Sequence, residues 1–223
     1  MMTEKERAGR AAAHAVEDGM ILGLGTGSTV HFTLLELKVR MDQGLRLQGV
    51  ATSQRTEILA RELGIPILPF SAVDRIDLTL DGADEVDPNL NGIKGGGGAL
   101  LYEKLVAEAS DKVIWVVDHQ KMVDTLGRFP LPLEVVPFNL EKLWKKLENQ
   151  GYHPRVRMQA GEPFVTDAGN RILDLHLQAI SDPEGLHREL KLMSGVVETG
   201  LFLHMAEEVI EGVGDTLRHH FRK

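Results

Sequence analysis

Residues 77–103 read DLTLDGADEVDPNLNGIKGGGGALLYE, and the fold turns on this stretch. An apolar run over residues 76–80 stops abruptly at Asp81, Gly82, Ala83 and Asp84. A short polar connection leads to Lys94 and four consecutive glycines, Gly95, Gly96, Gly97 and Gly98. A helix-like segment follows, with Glu103 in its first turns. A strand that ends in carboxylates and a glycine loop that opens a helix are the two places where an α/β protein sets its chemistry. The connection between them is short, so both can face one site.

These residue types suit an anionic, hydroxylated ligand. Glycine has no Cβ, so its backbone can take positive φ and approach a ligand closely. Successive N–H groups in such a turn converge on an anion, and the helix behind them adds its positive end. Lys94 adds a mobile positive charge. Asp81 and Asp84 flank a Gly-Ala turn, within reach of one polyhydroxylated molecule. Donors on one side and carboxylates on the other fit a sugar phosphate, whose hydroxyls need acids and bases. The residues alone point to Asp81 or Asp84 as the base. Each feature also has a plain reading. Asp-Gly and Asp87-Pro88 are ordinary turn residues, and a glutamate at position 103 is favoured by the helix dipole alone.

Working back toward the N-terminus, Thr3 caps a first helix to residue 16, with Glu6 as its reciprocal partner. Alanines 8, 11, 12 and 15 recur at helical spacing. Short apolar runs at residues 20–24, 45–51, 65–70 and 76–80 read as strands. Helices are expected over 28–41 and 54–63, the latter capped by Ser53. After the glycine loop come a helix over 100–109 and a strand over 112–117. The last is apolar throughout and is placed centrally. The alternation predicts an open, mostly parallel, Rossmann-like α/β sheet with helices on both faces.

A second strand-to-helix loop is Gly25-Thr26-Gly27-Ser28-Thr29. It is not a dinucleotide fingerprint: Ser28 stands where the third glycine belongs, and the next strand runs into Thr52 and Ser53 with no acid for a ribose diol. Nor is it a nucleotide P-loop, because no lysine follows its last glycine. Thr26, Gly27, Ser28 and Thr29 read as a cradle for phosphate or sugar hydroxyls. The bland alternative is that Ser28 is only a helix cap.

Beyond Lys121 the texture changes. Prolines 130, 132 and 137 bracket a strand over 131–136, and a domain junction is placed there. An amphipathic helix over 140–150, strands over 154–158 and 171–177, a helix over 183–192 and a strand from 196 give the order β-α-β-β-α-β, a ferredoxin-like split βαβ arrangement. Residues 1–128 with 205–223 form the larger domain, and 129–204 a smaller α+β domain. Residues 200–205 and 208–210 are expected to return to the first domain as strands. The tail, 217–223, is expected to fray. His204 is expected to be packed or hydrogen-bonded, and His219-His220 to carry no functional metal.

Composition narrows the classes. The chain has 223 residues, 43% hydrophobic, which allows a substantial core. A net charge of −8 argues against nucleic-acid binding. Cysteine is absent, so there is no disulfide framework and no thiol nucleophile, which fits a cytoplasmic setting. The N-terminal segment lacks the apolar core of a signal peptide, and no run reaches the length of a membrane span.

Gly25 to Thr29, Asp81-Gly82-Ala83-Asp84-Glu85, Lys94-Gly95-Gly96-Gly97, Glu103-Lys104 and Lys121, in that order, resemble type A ribose-5-phosphate isomerase. Residues 127–132 and 195–202 are similar to it too, so the resemblance spans nearly the whole chain. It implies an aldose–ketose isomerase acting on D-ribose 5-phosphate and D-ribulose 5-phosphate, without metal or other cofactor, as a homodimer. It implies Glu103 as the general base, Asp81 in ring opening, and Asp84 and Lys94 at the sugar and the ene-diolate. Thr26, Gly27, Ser28, Thr29, Gly82, Ala83, Gly95, Gly96, Gly97 and Lys121 match substrate-binding positions, with Lys5 a further phosphate contact. Gly98 departs from the usual alanine and is expected to loosen the loop. Rival readings are a sugar-phosphate sensor on the same scaffold, a phosphatase or kinase holding Mg²⁺ on Asp81, Asp84 and Asp87, and a CoA transferase.

Overall fold

The computed structural model describes residues 2–222. The larger part alternates α1 (Glu4–Ala13), β1 (Ile21–Leu24), α2 (Ser28–Asp42), β2 (Gln48–Ala51), α3 (Gln54–Glu62) and β3 (Leu78–Gly82). It continues, after the connection to the glycine loop, with α4 (Leu100–Glu108) and β6 (Val113–Asp118). Two short strands, β4 (Glu85–Val86) and β5 (Gly92–Ile93), lie inside that connection. The smaller part runs β7 (Leu131–Val135), α5 (Leu140–Asn149), β8 (Pro154–Val156), β9 (Met158–Gln159), β10 (Glu162–Pro163), β11 (Arg171–Leu175), α6 (Pro183–Lys191) and β12 (Val196–Thr199). The chain closes with β13 (Leu201–Phe202), β14 (Glu208–Val213) and β15 (Thr216–Phe221).

The main sheet has the order β15-β14-β6-β3-β1-β2, with β6 near its centre and every pairing parallel except β14 with β15. Side chains alternate across a strand, and β6 shows the consequence. Ile114 and Val116 join the core under α1 and α2. Val113, Trp115 and Val117 join the core on the opposite face, with Leu100 and Ala107 of α4. A strand buried on both faces must be apolar throughout, which is why its central place was readable.

The smaller part forms a four-stranded antiparallel sheet in the order β12-β7-β11-β8, the split βαβ arrangement. Leu143 and Leu147 of α5 and Leu190 of α6 pack on Leu133, Val135, Leu173 and Leu175.

Several expectations are corrected. Residues 65–70 are not a strand: Ile67 makes one isolated bridge to Gly49, and Phe70–Ala72 is a 3-10 turn. The polar connection is structured, because β4, β5 and β13 make a small antiparallel sheet. Of residues 200–205 only Leu201 and Phe202 are strand, and they join this small sheet rather than the main one. Between β8 and β11 the chain also forms the β9–β10 hairpin, which the sequence did not signal. The tail does not fray over its described residues. It pairs with β14, and His219 and His220 meet Glu208 and Glu211 at 2.8 Å each. His204 is hydrogen-bonded, as expected; its partner is Glu184 at 2.8 Å. Thr3 caps α1 through the Glu6 amide at 3.1 Å, but the Glu6 carboxylate turns to Arg10 instead of back to the cap. Among the described residues no helix is long and apolar enough to cross a membrane.

Candidate active site

β1 and β3 are neighbours in the main sheet, so their C-terminal ends lie side by side. The Gly25–Thr29 and Asp81–Asp84 loops therefore meet. Gly25 carries no Cβ for a reason: an added one would lie 2.0 Å from Asp81 Oδ1. That close approach lets Asp81 Oδ1 accept from the Thr26 amide at 3.0 Å and the Gly82 amide at 2.7 Å. Its other oxygen meets Lys94 Nζ at 2.9 Å.

Lys94 follows β5 directly and is buried. Its ammonium donates to Gly82 O at 2.6 Å and lies 3.3 Å from Glu103 Oε2. Burial alone would push this lysine down, but Asp81, Glu103 and Asp84 outweigh it, and the net shift is upward. Glu103 sits in the first turn of α4, almost wholly buried. Its Oε2 makes no hydrogen bond of good geometry, so Lys94 reaches it as an ion-pair neighbour only. Burial pushes its carboxyl up to about 8; Lys94 opposes the shift, and Asp81 and Asp84 add to it. A carboxyl held near neutrality beside a fixed cation has the titration that acid–base chemistry asks for.

A cleft of about 120 Å³ opens above this pair. Thr26, Gly27, Ser28, Thr29, Gly82, Ala83, Asp84, Lys94, Gly95, Gly96, Gly97, Glu103, Lys121 and Lys5 line it. Asp81 does not. It lies beneath the floor, its carboxylate committed to two amides and to Lys94.

At the phosphate-like end, Gly27 rather than Ser28 is the cap of α2, at φ 137°, and no side chain caps the helix. The first-turn amides of α2 keep their donors for an anion. Lys5 Nζ donates to Ser28 Oγ at 3.2 Å, and Lys121 Nζ stands 4.0 Å from Asp84 Oδ1. The Thr26 hydroxyl lies 2.7 to 3.0 Å from the hydroxyls of Thr52, Ser53 and Thr56, in a cluster from which Thr52 donates onward to Leu24 O and Thr56 to Gly25 O. That hydroxyl cluster was missed in the sequence. Thr52-Ser53 was the visible signal, read as the lack of an acid and, for Ser53, as the cap of α3, which the structure bears out at 3.1 Å from the Thr56 amide.

The glycine loop is also less free than its composition suggested. The Gly96 amide donates to Asp84 Oδ2 at 2.7 Å and the Gly98 amide to Gly95 O at 3.0 Å. Gly98 does not loosen the loop. At φ +85° it makes room for Phe164, whose ring would stand 2.4 Å from an added Cβ. Asp87 takes the amides of Asn89 and Asn91 and the Asn91 side chain, which locks a turn away from Asp81 and Asp84. The three aspartates do not converge as a cation site. Among the described residues no group of three or more His, Asp or Glu side chains could hold a metal.

Comparison with known proteins places this geometry. The family model for ribose 5-phosphate isomerase A (phosphoriboisomerase A) matches residues 48–216. The chain is 53% identical to the ribose-5-phosphate isomerase A of Bifidobacterium adolescentis, over 93% of this chain and 90% of that one. It is 52% identical to that of Enterococcus faecalis, over 96% of each. A solved D-ribose-5-phosphate isomerase in complex with phospho-erythronic acid superposes with a TM-score of 0.95 at 38% identity, covering 98% of each chain. The chain is an isomerase that belongs to the ribose 5-phosphate isomerase A family.

Proposed function

We propose that this protein interconverts D-ribose 5-phosphate and D-ribulose 5-phosphate through an ene-diolate, with Glu103 as the general base. The observation that carries the proposal is the buried, unbonded Glu103 Oε2 at the cleft wall, 3.3 Å from Lys94 Nζ. In the open-chain aldose, Glu103 takes the proton from C2, and the electrons of that C–H bond move through the carbonyl to O1. The same carboxyl returns the proton to C1, and the proton that O2 gives up passes to O1, so that O2 becomes the C2 carbonyl and O1 a hydroxyl. A general base of this kind contributes on the order of 10²–10⁴ in rate.

Lys94 answers the developing charge. Asp81 and Gly82 O hold two of its directions firmly, and Glu103 holds the third loosely. Once Glu103 carries the substrate proton it no longer attracts the ammonium, whose third N–H is released toward the ene-diolate oxygen. A preorganised donor of this type is worth roughly 3–4 kcal/mol in the transition state. Asp81 acts from beneath by fixing Lys94 and the Gly25–Thr29 loop, and assists ring opening through them. The α2 amides with Lys5 and Lys121 take the phosphate, and Asp84 takes sugar hydroxyls. We assign the enzyme to the cytoplasm as a homodimer, built from a Rossmann-like domain (1–128 and 205–223) and a smaller domain (129–204).

The test is an isomerase assay in deuterated water with EDTA present. Solvent label at C1 of ribulose 5-phosphate or C2 of ribose 5-phosphate is expected, and unphosphorylated ribose is expected to react poorly. Conversion without any label, or loss of activity in EDTA, contradicts the proposal.

A further inference from the structure

The glycine loop needs a second support. Gly95 and Gly98 both sit at positive φ, 99° and 85°, and a glycine run has little stiffness of its own. On one side Asp84 holds the Gly96 amide. On the other side stands Arg157, from the segment between β8 and β9. Its Nη1 donates to Gly95 O at 2.7 Å and to Gly96 O at 3.1 Å. Its guanidinium is itself gripped by Asp174 of β11, through Nε at 2.9 Å and through Nη2. Both partners are largely buried, with side-chain exposures of 15% and 18%. A bidentate guanidinium–carboxylate pair fixes orientation as well as position.

The same hairpin returns to the loop at Phe164. The Phe164 amide donates to Arg157 O at 2.8 Å, and its ring rests on Gly98. The hairpin tip, residues 158–162, is exposed. Only its base touches the site.

The geometry has a directional consequence. In a trans peptide the C=O and the following N–H point opposite ways, and among the described residues there is no cis peptide bond. Gly95 O points to Arg157, so the Gly96 N–H points away from it, where it meets Asp84. Gly96 O also points to Arg157, so the Gly97 N–H likewise points away from it, and Gly97 lines the cleft. We infer that Arg157, held by Asp174 and backed by Phe164 on Gly98, is a positioning residue that aims the Gly97 amide at the substrate's reacting oxygens. Arg157 does not line the cleft. It sets a donor that strengthens as charge develops on O1, so its loss falls on kcat rather than on KM.

This inference rests on the isomerase reading, and the experiment separates the two. Arg157→Ala, Arg157→Lys and Asp174→Asn are assayed with ribose 5-phosphate, and each is titrated with phospho-erythronic acid, whose carboxylate stands in for the ene-diolate oxygens. Arg157→Ala is expected to lower kcat by ~10–100-fold, the scale of a small misplacement at a reacting centre, with KM near wild type. Affinity for phospho-erythronic acid falls with kcat, and Arg157→Lys recovers part of both. Wild-type kcat and inhibitor affinity in folded Arg157→Ala, with only a lower Tm, overturn the inference. Should Arg157→Ala not fold, the same criteria applied to Arg157→Lys and Asp174→Asn decide. A wild-type protein that binds phospho-erythronic acid without isomerising ribose 5-phosphate defeats the isomerase reading, and the affinity arm still tests Arg157.

Discussion

Lys94 and Lys104 are both buried, 3% and 4% exposed, and both lie over the ring of Phe202, at 5.3 and 4.7 Å. Their surroundings differ in one respect. Lys104 Nζ donates at 2.8 Å to each of Glu198 Oε1, Thr199 O and Leu201 O, so three donors meet three acceptors. Glu198 spends its other oxygen on Lys191 at 2.8 Å. Lys94 has two firm acceptors, and its third neighbour, Glu103, keeps an oxygen with no hydrogen bond. A buried polar network that is fully satisfied is rigid, and one that is left short is costly. The protein closes the network that joins α4 to β12 and β13 and leaves open the one beside the cleft. At Glu103 the incomplete network adjoins the cleft.

The contrast is broken most severely at Glu103. Glu103→Gln keeps the shape and removes the base. We expect kcat to fall ~10²–10⁴-fold with substrate binding near normal. Single-turnover rates with ribose 5-phosphate measure this directly, and a kcat within a few-fold of wild type would place the base elsewhere.

The two lysines then test each other. Lys104→Met takes the lysine donor from the Thr199 and Leu201 carbonyls while Glu198 keeps Lys191, and each buried acceptor left unsatisfied costs about 1–3 kcal/mol of stability. Turnover per folded molecule should hold. Lys94→Met should cost roughly 3–4 kcal/mol in the transition state, read as kcat. Denaturant titration alongside kinetics separates the two. If Lys104→Met stops turnover while Lys94→Met only loosens the fold, the assignment of open and closed networks is reversed.

This contrast explains what was legible in the sequence. The main sheet was, because burial on both faces forces the apolar run of β6 and burial on one face spaces the alanines of α1. The split βαβ order of the smaller part was legible for the same reason. The small sheet of β4, β5 and β13 was not, since strands of two residues carry no periodicity. The edge strand β15 was hidden by its polar, exposed pattern, which also describes a loose tail. At the site, Gly25–Thr29, Asp81–Asp84 and the glycine loop stood out because turns and close approaches demand glycine. Glu103 was not separable from a helix-dipole glutamate by its own sequence, and the resemblance to the family supplied its role. The burial that distinguishes it comes from Lys94, Asp81 and the sheet, all of which meet only in three dimensions. Arg157 gave no signal, because its partners are carbonyls, which every residue has.

A milder test uses pH. The Glu103 carboxyl is raised from its ordinary 4.5 to about 8. A base must lose its proton to act, so kcat/KM should climb with pH, about tenfold per unit, and level off near 8. Stability should run the other way. Between 4.5 and about 8 the folded chain keeps a proton on Glu103 that the unfolded chain has released, so stability falls as pH rises through that window. Glu103→Gln should flatten both trends. A rate profile without an acid limb, or a Tm profile unchanged in Glu103→Gln, would mean that the carboxyl is not held protonated by burial.

The smallest effect comes from the cations that are not buried. The Lys5 side chain is 40% exposed, 3.2 Å from Ser28 Oγ and 3.7 Å from Asp118 Oδ2. Water screens such a charge, and exposed pairs contribute about 0.2–1 kcal/mol. Lys5→Met should therefore raise KM by no more than about fivefold and leave kcat alone. The Debye length shrinks from about 10 Å at 0.1 M salt to about 3 Å at 1 M, so the gap between Lys5→Met and wild type should close as salt rises. The loss in Lys94→Met should persist, because salt does not reach a buried ammonium. A salt-independent Lys5 effect, or a change in kcat, would mean that Lys5 is drawn into the closed site when substrate binds. The division between screened and buried cations would then describe only the empty enzyme.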